Sequence, residues 1–146
     1  MNTNTALSSE TAARLRVLLG FLRAGRMLNG TSVGLLLGTV VLALGPASPA
    51  RAVGVGGAVA LGLLEQYLAW RVALDAEFFA WLLEKPAETL AFDAALAAFL
   101  GRAPGAAPRS MESRAHGARR LTRRQAAVLG MQAGAVAALA VASQLR

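Results

Sequence analysis

The chain contains no cysteine. That excludes disulfides, thiolate nucleophiles and Cys-ligated metals. Lysine is almost missing, with Lys85 the single example, so the positive charge is carried by Arg. Histidine occurs once, at His116, and a zinc site needs three or four ligands. Charged residues make up 16% of the chain. A soluble domain typically carries about 25%. No glycine-rich loop lies between a strand and a helix, because "GVGG" falls inside an apolar run. Ser110, Ser113 and Thr122 lack a base and an orienting acid at a readable spacing, so a nucleophile triad has no support. Neither a cofactor nor a metal is expected.

The chain has 146 residues, enough for one domain, and 55% of them are hydrophobic. Mean hydropathy is +0.49. The apolar residues are bunched into long runs, which points to membrane spans. Net charge is +7. Nucleic-acid binding is set aside, because a basic balance beside apolar spans is also what membrane orientation requires. Few Lys together with many Ala and Gly suggest a GC-rich bacterial genome.

The expected fold is an all-α membrane protein. Three transmembrane helices should be joined, between the second and third, by a cytoplasmic amphipathic helical hairpin. Residues 1–28 form a basic amphipathic helix on, or leading into, the membrane. Residues 29–72 form a transmembrane hairpin turning at "PASPAR", where Pro46 and Pro49 interrupt the helix. Tyr67 and Trp70, followed by Arg71, look like an interfacial belt. Helical periodicity continues to Glu84, so the second helix can extend beyond the bilayer. Residues 73–101 form acidic amphipathic helices, with Gly101 as a stop. Residues 102–124 read as a basic loop, and 125–146 as the third span. An alternative treats residues 1–52 as a cleaved signal peptide, on the A-x-A look of the sequence ending at Ala52.

Orientation follows from Arg. Residues 1–28 carry net +3 and residues 102–124 net +6, whereas the hairpin turn carries only Arg51. The positive-inside rule then places the N-terminus and residues 73–124 in the cytoplasm of a bacterial inner membrane, with the C-terminus outside. Arg119, Arg120, Arg123 and Arg124 are candidate headgroup or topology contacts.

Inside lipid, helices associate through close backbone approach at small residues spaced by four. Gly30, Gly34 and Gly38 offer such a stripe on the first span. Gly54, Ala58 and Gly62 do so on the second, and Gly130, Gly134 and Ala138 on the third. These are the expected packing positions. Three helices make a thin bundle, so a homo-oligomer or another membrane protein is an expected partner, together with membrane lipids.

Glu65 is the acid at membrane depth, and an unpaired carboxylate there is costly. It is expected to hydrogen-bond Gln132, Gln66, or a hydroxyl such as Ser32 or Thr39. Arg71 and Asp75, four apart, can pair locally. One phrase occurs twice: "LDAEFFAWL" at Leu74–Leu82 and "FDAALAAFL" at Phe92–Leu100. Two short helices folded at Pro86 would present Leu74, Phe78, Trp81, Leu82 and Phe99 as a docking face. Residues 73–93 carry net −4, suited to a basic surface.

The layout of an amphipathic N-terminal helix and three short spans resembles that of bacterial diacylglycerol kinase. That family's acidic, Asn-containing catalytic stretch has no counterpart here, so the resemblance implies no activity. The expected function is a non-enzymatic accessory, assembly or scaffolding subunit. A small oligomeric transporter or channel using Glu65 is the alternative, and a lipid-modifying enzyme the distant third.

Overall fold

The computed structural model describes residues 9–45, 48–85, 89–99, 101 and 111–144. The described residues form four helices: α1 (Ser9–Ala43), α2 (Pro49–Glu84), α3 (Thr89–Phe99) and α4 (Met111–Gln144). The three long helices have 35, 36 and 34 residues, each about 50 Å at 1.5 Å per residue. All three are long and apolar enough to cross a membrane.

The boundaries differ from the sequence expectation in three places. The N-terminal amphipathic helix and the first span are one unbroken helix, since nothing between Arg26 and Gly30 interrupts it. Pro49 opens α2 rather than extending the turn. In the first helical turn its missing N–H has no intrahelical partner to lose. Ser48 caps that turn, its Oγ accepting from the Arg51 N–H at 3.2 Å. Finally, residues 111–124 belong to α4, although residues 102–124 read as a basic loop from the Gly, Pro and Ser content of "GRAPGAAPRSMESRAHG". Tertiary packing overrides that weak local preference.

α2 ends where Lys85 N–H reaches Trp81 O at 2.9 Å. Pro86, the expected fold point, lies outside the described residues. Gly101 terminates α3 as expected. Its φ is +63°, a left-handed conformation that carries no steric penalty without a Cβ.

The three long helices pack against one another pairwise. Their inward positions recur at alternating spacings of three and four. On α1 these are Leu15, Leu18, Leu22, Gly25, Asn29, Ser32, Leu36 and Thr39. On α2, Ala58, Gly62, Glu65, Ala69, Val72, Ala76 and Phe79 follow the same rhythm, as do Ala118, Leu121, Gln125, Val128 and Gln132 on α4. This is the 3.5-residue repeat of left-handed helical packing. α1 and α4 run parallel, because Gly25 meets Gln125 and Ser32 meets Gln132.

The bundle changes chemistry along its length. At the end carrying most of the Arg, residues 9–26, 71–84 and 111–124 form a stalk about 21 Å long on α4. Its core is apolar: Leu15, Leu18, Leu19, Leu22, Val72, Ala76, Phe79 and Ala118. Beyond it, in the apolar spans, the seam becomes small and polar. Gly25 at the junction, and Ser32, Thr39, Ala58, Gly62, Glu65, Gln125 and Gln132 beyond it, are all buried.

The docking face expected from the doubled phrase does not form as one surface. Residues 73–84 continue α2 into the stalk, where α1 and α4 cover them. Leu82 is buried, Phe78 and Trp81 are half-buried, and Leu74 is exposed. Phe99 on α3 is 88% exposed. Among the described residues, α3 makes no extended contact with a long helix.

The small-residue stripes also divide. Those on α2 are internal: Ala58 is buried, and a Cβ on Gly54 would lie 2.5 Å from Leu139 Cδ2. A Cβ on Gly62 would strike the Leu36 side chain and lie 2.9 Å from Gln132 Nε2. The stripes on α1 and α4 point away from the bundle. Among the described residues, a Cβ at Gly30, Gly34, Gly38, Gly130 or Gly134 meets nothing within 4 Å, and Ala138 is exposed. Those positions do not pack α1 and α4 within one chain. Gly25 does so instead, as a Cβ there would lie 3.1 Å from Gln125 Oε1. We therefore expect Gly62→Leu to lower thermal stability in detergent by about 1–3 kcal/mol through overpacking. Gly134→Leu should leave the monomer's midpoint within about 0.5 kcal/mol, as for other surface changes. Equal losses would contradict this division.

Candidate functional site

Two polar layers cross the small-residue part of the bundle, one heptad apart. In the first, Gln125 Nε2 donates to Glu65 Oε1 at 2.7 Å and to the Gly25 carbonyl at 3.2 Å. One amide thus ties α4 to both α2 and α1. Gly25 permits this approach, because any side chain would press on Gln125 and on Val72. In the second layer, Ser32 Oγ donates to Gln132 Oε1 at 2.7 Å, and Gln132 Nε2 donates to the Ser32 carbonyl at 3.2 Å. Thr39, one heptad further along α1, is buried and donates to Leu35 O at 2.8 Å.

Glu65 is thus fully buried and faces protein, as expected, but its partner differs. Gln125 holds it, and Gln132 holds Ser32. A third span read as beginning at Gln125 puts Gln132 seven residues inside it, near the depth of Glu65, six residues inside Arg71. With α4 starting at Met111, Gln125 lies mid-helix rather than at a helix end, and it is Gln125 that meets Glu65. The layer is also nearer the basic end than expected: Gln125 follows Arg124 directly, and Gly25 precedes Arg26.

Four buried atoms around the first layer have no partner among the described residues: Asn29 Oδ1, Glu65 Oε2, Gln66 Nε2 and Gln125 Oε1. Asn29 and Gln66 line a cleft of about 230 Å³ together with Gly25, Arg26 and Trp70. Gln66 was expected near Glu65 but makes no bond to it among the described residues. Asn29, Gly25 and Gln125 were missed by sequence reasoning. The available signal was the seven-residue spacing of Ser32 with Thr39 and of Gln125 with Gln132, which marks one face of each helix.

At the stalk, Arg26 pairs with Glu77 at 3.3 Å, linking α1 to α2 across exposed surface. This ion pair was also missed. Arg14 pairs with Glu10 one turn earlier at 2.5 Å. Such exposed pairs contribute at most about 1 kcal/mol. Arg71 and Asp75 form no contact pair among the described residues. Arg114 stacks on Phe78, 5.2 Å from the ring centroid. His116 is exposed on α4, and no group of three or more His, Asp or Glu side chains suited to a metal occurs among the described residues. Arg119, Arg120, Arg123 and Arg124 are exposed on the stalk portion of α4.

Asp75, in the stalk, has its carboxyl held above its ordinary value of 3.8. Burial is the main cause, and the nearby Arg71 charge opposes it. A raised folded-state value means that the native protein binds the proton more tightly than the unfolded chain. Stability therefore falls as pH rises through the interval above 3.8. We expect Asp75→Asn to raise the melting temperature at pH 7, and the gain to fade as pH drops below about 4. A gain that instead grows with acidity would show that burial does not dominate.

Together these features define a three-helix bundle with membrane-competent helices and an interior of polar layers. Comparison with protein-family models, curated proteins and solved structures gives no match for this chain.

Proposed function

We propose that this chain is a small multi-pass protein of a bacterial inner membrane, acting as a non-enzymatic accessory or assembly subunit. The N-terminus and the Arg-rich stalk face the cytoplasm, and the turn near Arg51 and the C-terminus lie outside. The partner is another membrane protein or a second copy of the chain.

The observation that carries this reading is the outward placement of the glycine stripes on α1 and α4. Gly30 and Gly34, with Gly130 and Gly134, keep backbone open toward lipid with nothing near a hypothetical Cβ. Bare backbone of this kind is where a further helix gains close van der Waals contact. A monomer in lipid gains nothing from it and loses about 1 kcal/mol of helix propensity per Gly relative to Ala. The polar side chains Glu65, Gln125, Ser32 and Gln132 are meanwhile tied to one another in compact layers, whereas a transport path needs polar groups lining a continuous route. The docking surface proposed here is thus intramembrane, replacing the aromatic face around Phe78 and Trp81.

The test is affinity purification in mild detergent, comparing wild type with Gly34→Leu/Gly134→Leu. A stoichiometric membrane partner or a defined homo-oligomer that the variant loses supports the reading. A wild-type chain that runs as a lone monomer with no partner overturns it.

One observation favours the second reading, a small transporter built on Glu65: the buried Oε2 of Glu65 has no donor among the described residues. Reconstituted vesicles report on it. Cation or proton flux that Glu65→Gln abolishes would favour transport over the accessory role.

A further inference from the structure

The stalk carries an open groove of about 1140 Å³ between α1 and α4, on the side away from α2. Its floor is apolar, and two of its residues, Val17 and Phe21, are 62% and 68% exposed. Arg119 and Arg123 of α4 stand along one wall, and Arg14 of α1 lines the outer part. Arg14 is paired with Glu10. Neither Arg119 nor Arg123 has a carboxylate partner among the described residues. Among the described residues, Glu112 is the one acid on the groove wall, seven residues or about 10 Å away from Arg119 along α4.

Position along the bundle decides what such a groove fits. Phe21, Arg123 and Ala126 lie at the basic end of the spans, beside Arg26 and Arg124. Hydrocarbon gives way to headgroups there, over a layer of about 5–7 Å on each side of the bilayer. Arg119 and Arg123, one turn apart, differ in depth by about 6 Å and so bracket that layer. A free anion would have no use for the apolar floor that continues from Phe21 to Ala126. A lipid uses both, because its phosphate meets the guanidinium groups, which suit phosphate geometry, while its acyl chains run along the floor.

We propose that the inner half of this groove binds one anionic phospholipid, with the phosphate between Arg119 and Arg123 and the chains against Phe21 and Ala126. The proposal rests on the membrane-spanning reading but not on which partner the chain assembles with. Arg120 and Arg124 supply the internal control. They carry the same charge on the same helix at nearly the same depth, but do not line the groove.

The experiment is native mass spectrometry of the full chain in mild detergent, titrated with phosphatidylglycerol or phosphatidylcholine. Circular dichroism confirms that each variant is folded, and alkaline extraction of membranes tests insertion separately. Wild type should retain about one phosphatidylglycerol and favour it over phosphatidylcholine. Arg119→Gln/Arg123→Gln should weaken that binding roughly thirty-fold, from about 1 kcal/mol per Arg near an anionic lipid. Arg120→Gln/Arg124→Gln should change it by less than about threefold. Equal losses in the two pairs would mean diffuse attraction to the leaflet and would overturn the site. So would indifference between the two lipids, displacement of the lipid by glycerol phosphate, or no lipid retained by wild type in extracts where insertion is confirmed.

Discussion

Phe79→Ala is expected to lower stability by about 3–5 kcal/mol, a large share of the 5–15 kcal/mol typical of a domain. Phe79 is 1% exposed and sits at the centre of the stalk core with Leu15, Leu18, Leu22, Val72 and Ala118. It also meets Phe78 edge to face, with ring centroids 5.2 Å apart. Truncation removes a large apolar group and leaves a cavity that rigid helices on three sides cannot close. Phe99→Ala should fall within about 0.5 kcal/mol, because its ring is 88% exposed. Thermal unfolding in detergent separates them. A substantial loss for Phe99→Ala with little for Phe79→Ala would restore α3 as a packed element and remove the stalk core from its place.

That contrast shows where sequence reasoning worked and where it did not. The number of long helices, the extension of α2 to Glu84 and the stop at Gly101 were all legible, since each depends on local pattern. Run length gives the spans, continued periodicity carries α2 past Arg71, and glycine permits the left-handed conformation. The choice between Phe78 and Phe79 was not legible. In "DAEFFAW" either ring can begin an apolar face, and only the register of α2 against α1 and α4 selects Phe79.

The glycine stripes failed for a more general reason. On the membrane-spanning reading proposed above, water drives apolar residues inward in the stalk, where the seam is Leu15, Leu18 and Leu22. In lipid that force is absent, and the residues needing protein partners are the polar ones. On that reading the same 3.5-residue seam continues as Gly25, Asn29, Ser32 and Thr39. Composition alone shows many glycines on every span. Only the phase of the seam distinguishes Gly25 and Gly62, which face inward, from Gly30 and Gly134, which do not. Glu65 is buried against protein, and its partner is Gln125 rather than Gln132, Gln66 or a hydroxyl.

Gln125→Leu should cost about 2–3 kcal/mol, and Glu65→Leu/Gln125→Leu much less than that single change. The single variant removes the side chain that binds both Glu65 Oε1 and the Gly25 carbonyl. Glu65 Oε2 already lacks a partner among the described residues, so the substitution strands the whole buried carboxyl. Leaving one buried partner unmade costs its full desolvation, whereas replacing both with apolar groups of similar size is close to neutral. The comparison layer is Ser32 with Gln132. Neutral interhelical bonds in membranes average about 0.6 kcal/mol, so Gln132→Leu should cost less than Gln125→Leu. Melting temperatures of wild type, Glu65→Leu, Gln125→Leu and the double variant in one detergent close the cycle, with Gln132→Leu measured beside them. The 2–3 kcal/mol loss corresponds to roughly 4–12 °C for a chain near 150 residues. If the double variant is as unstable as Gln125→Leu alone, stranded Glu65 is not the source of the loss. The Gly25 contact and the shape of the Gln125 side chain would then hold the layer, and α1 rather than α2 would be the helix that fixes α4 in register.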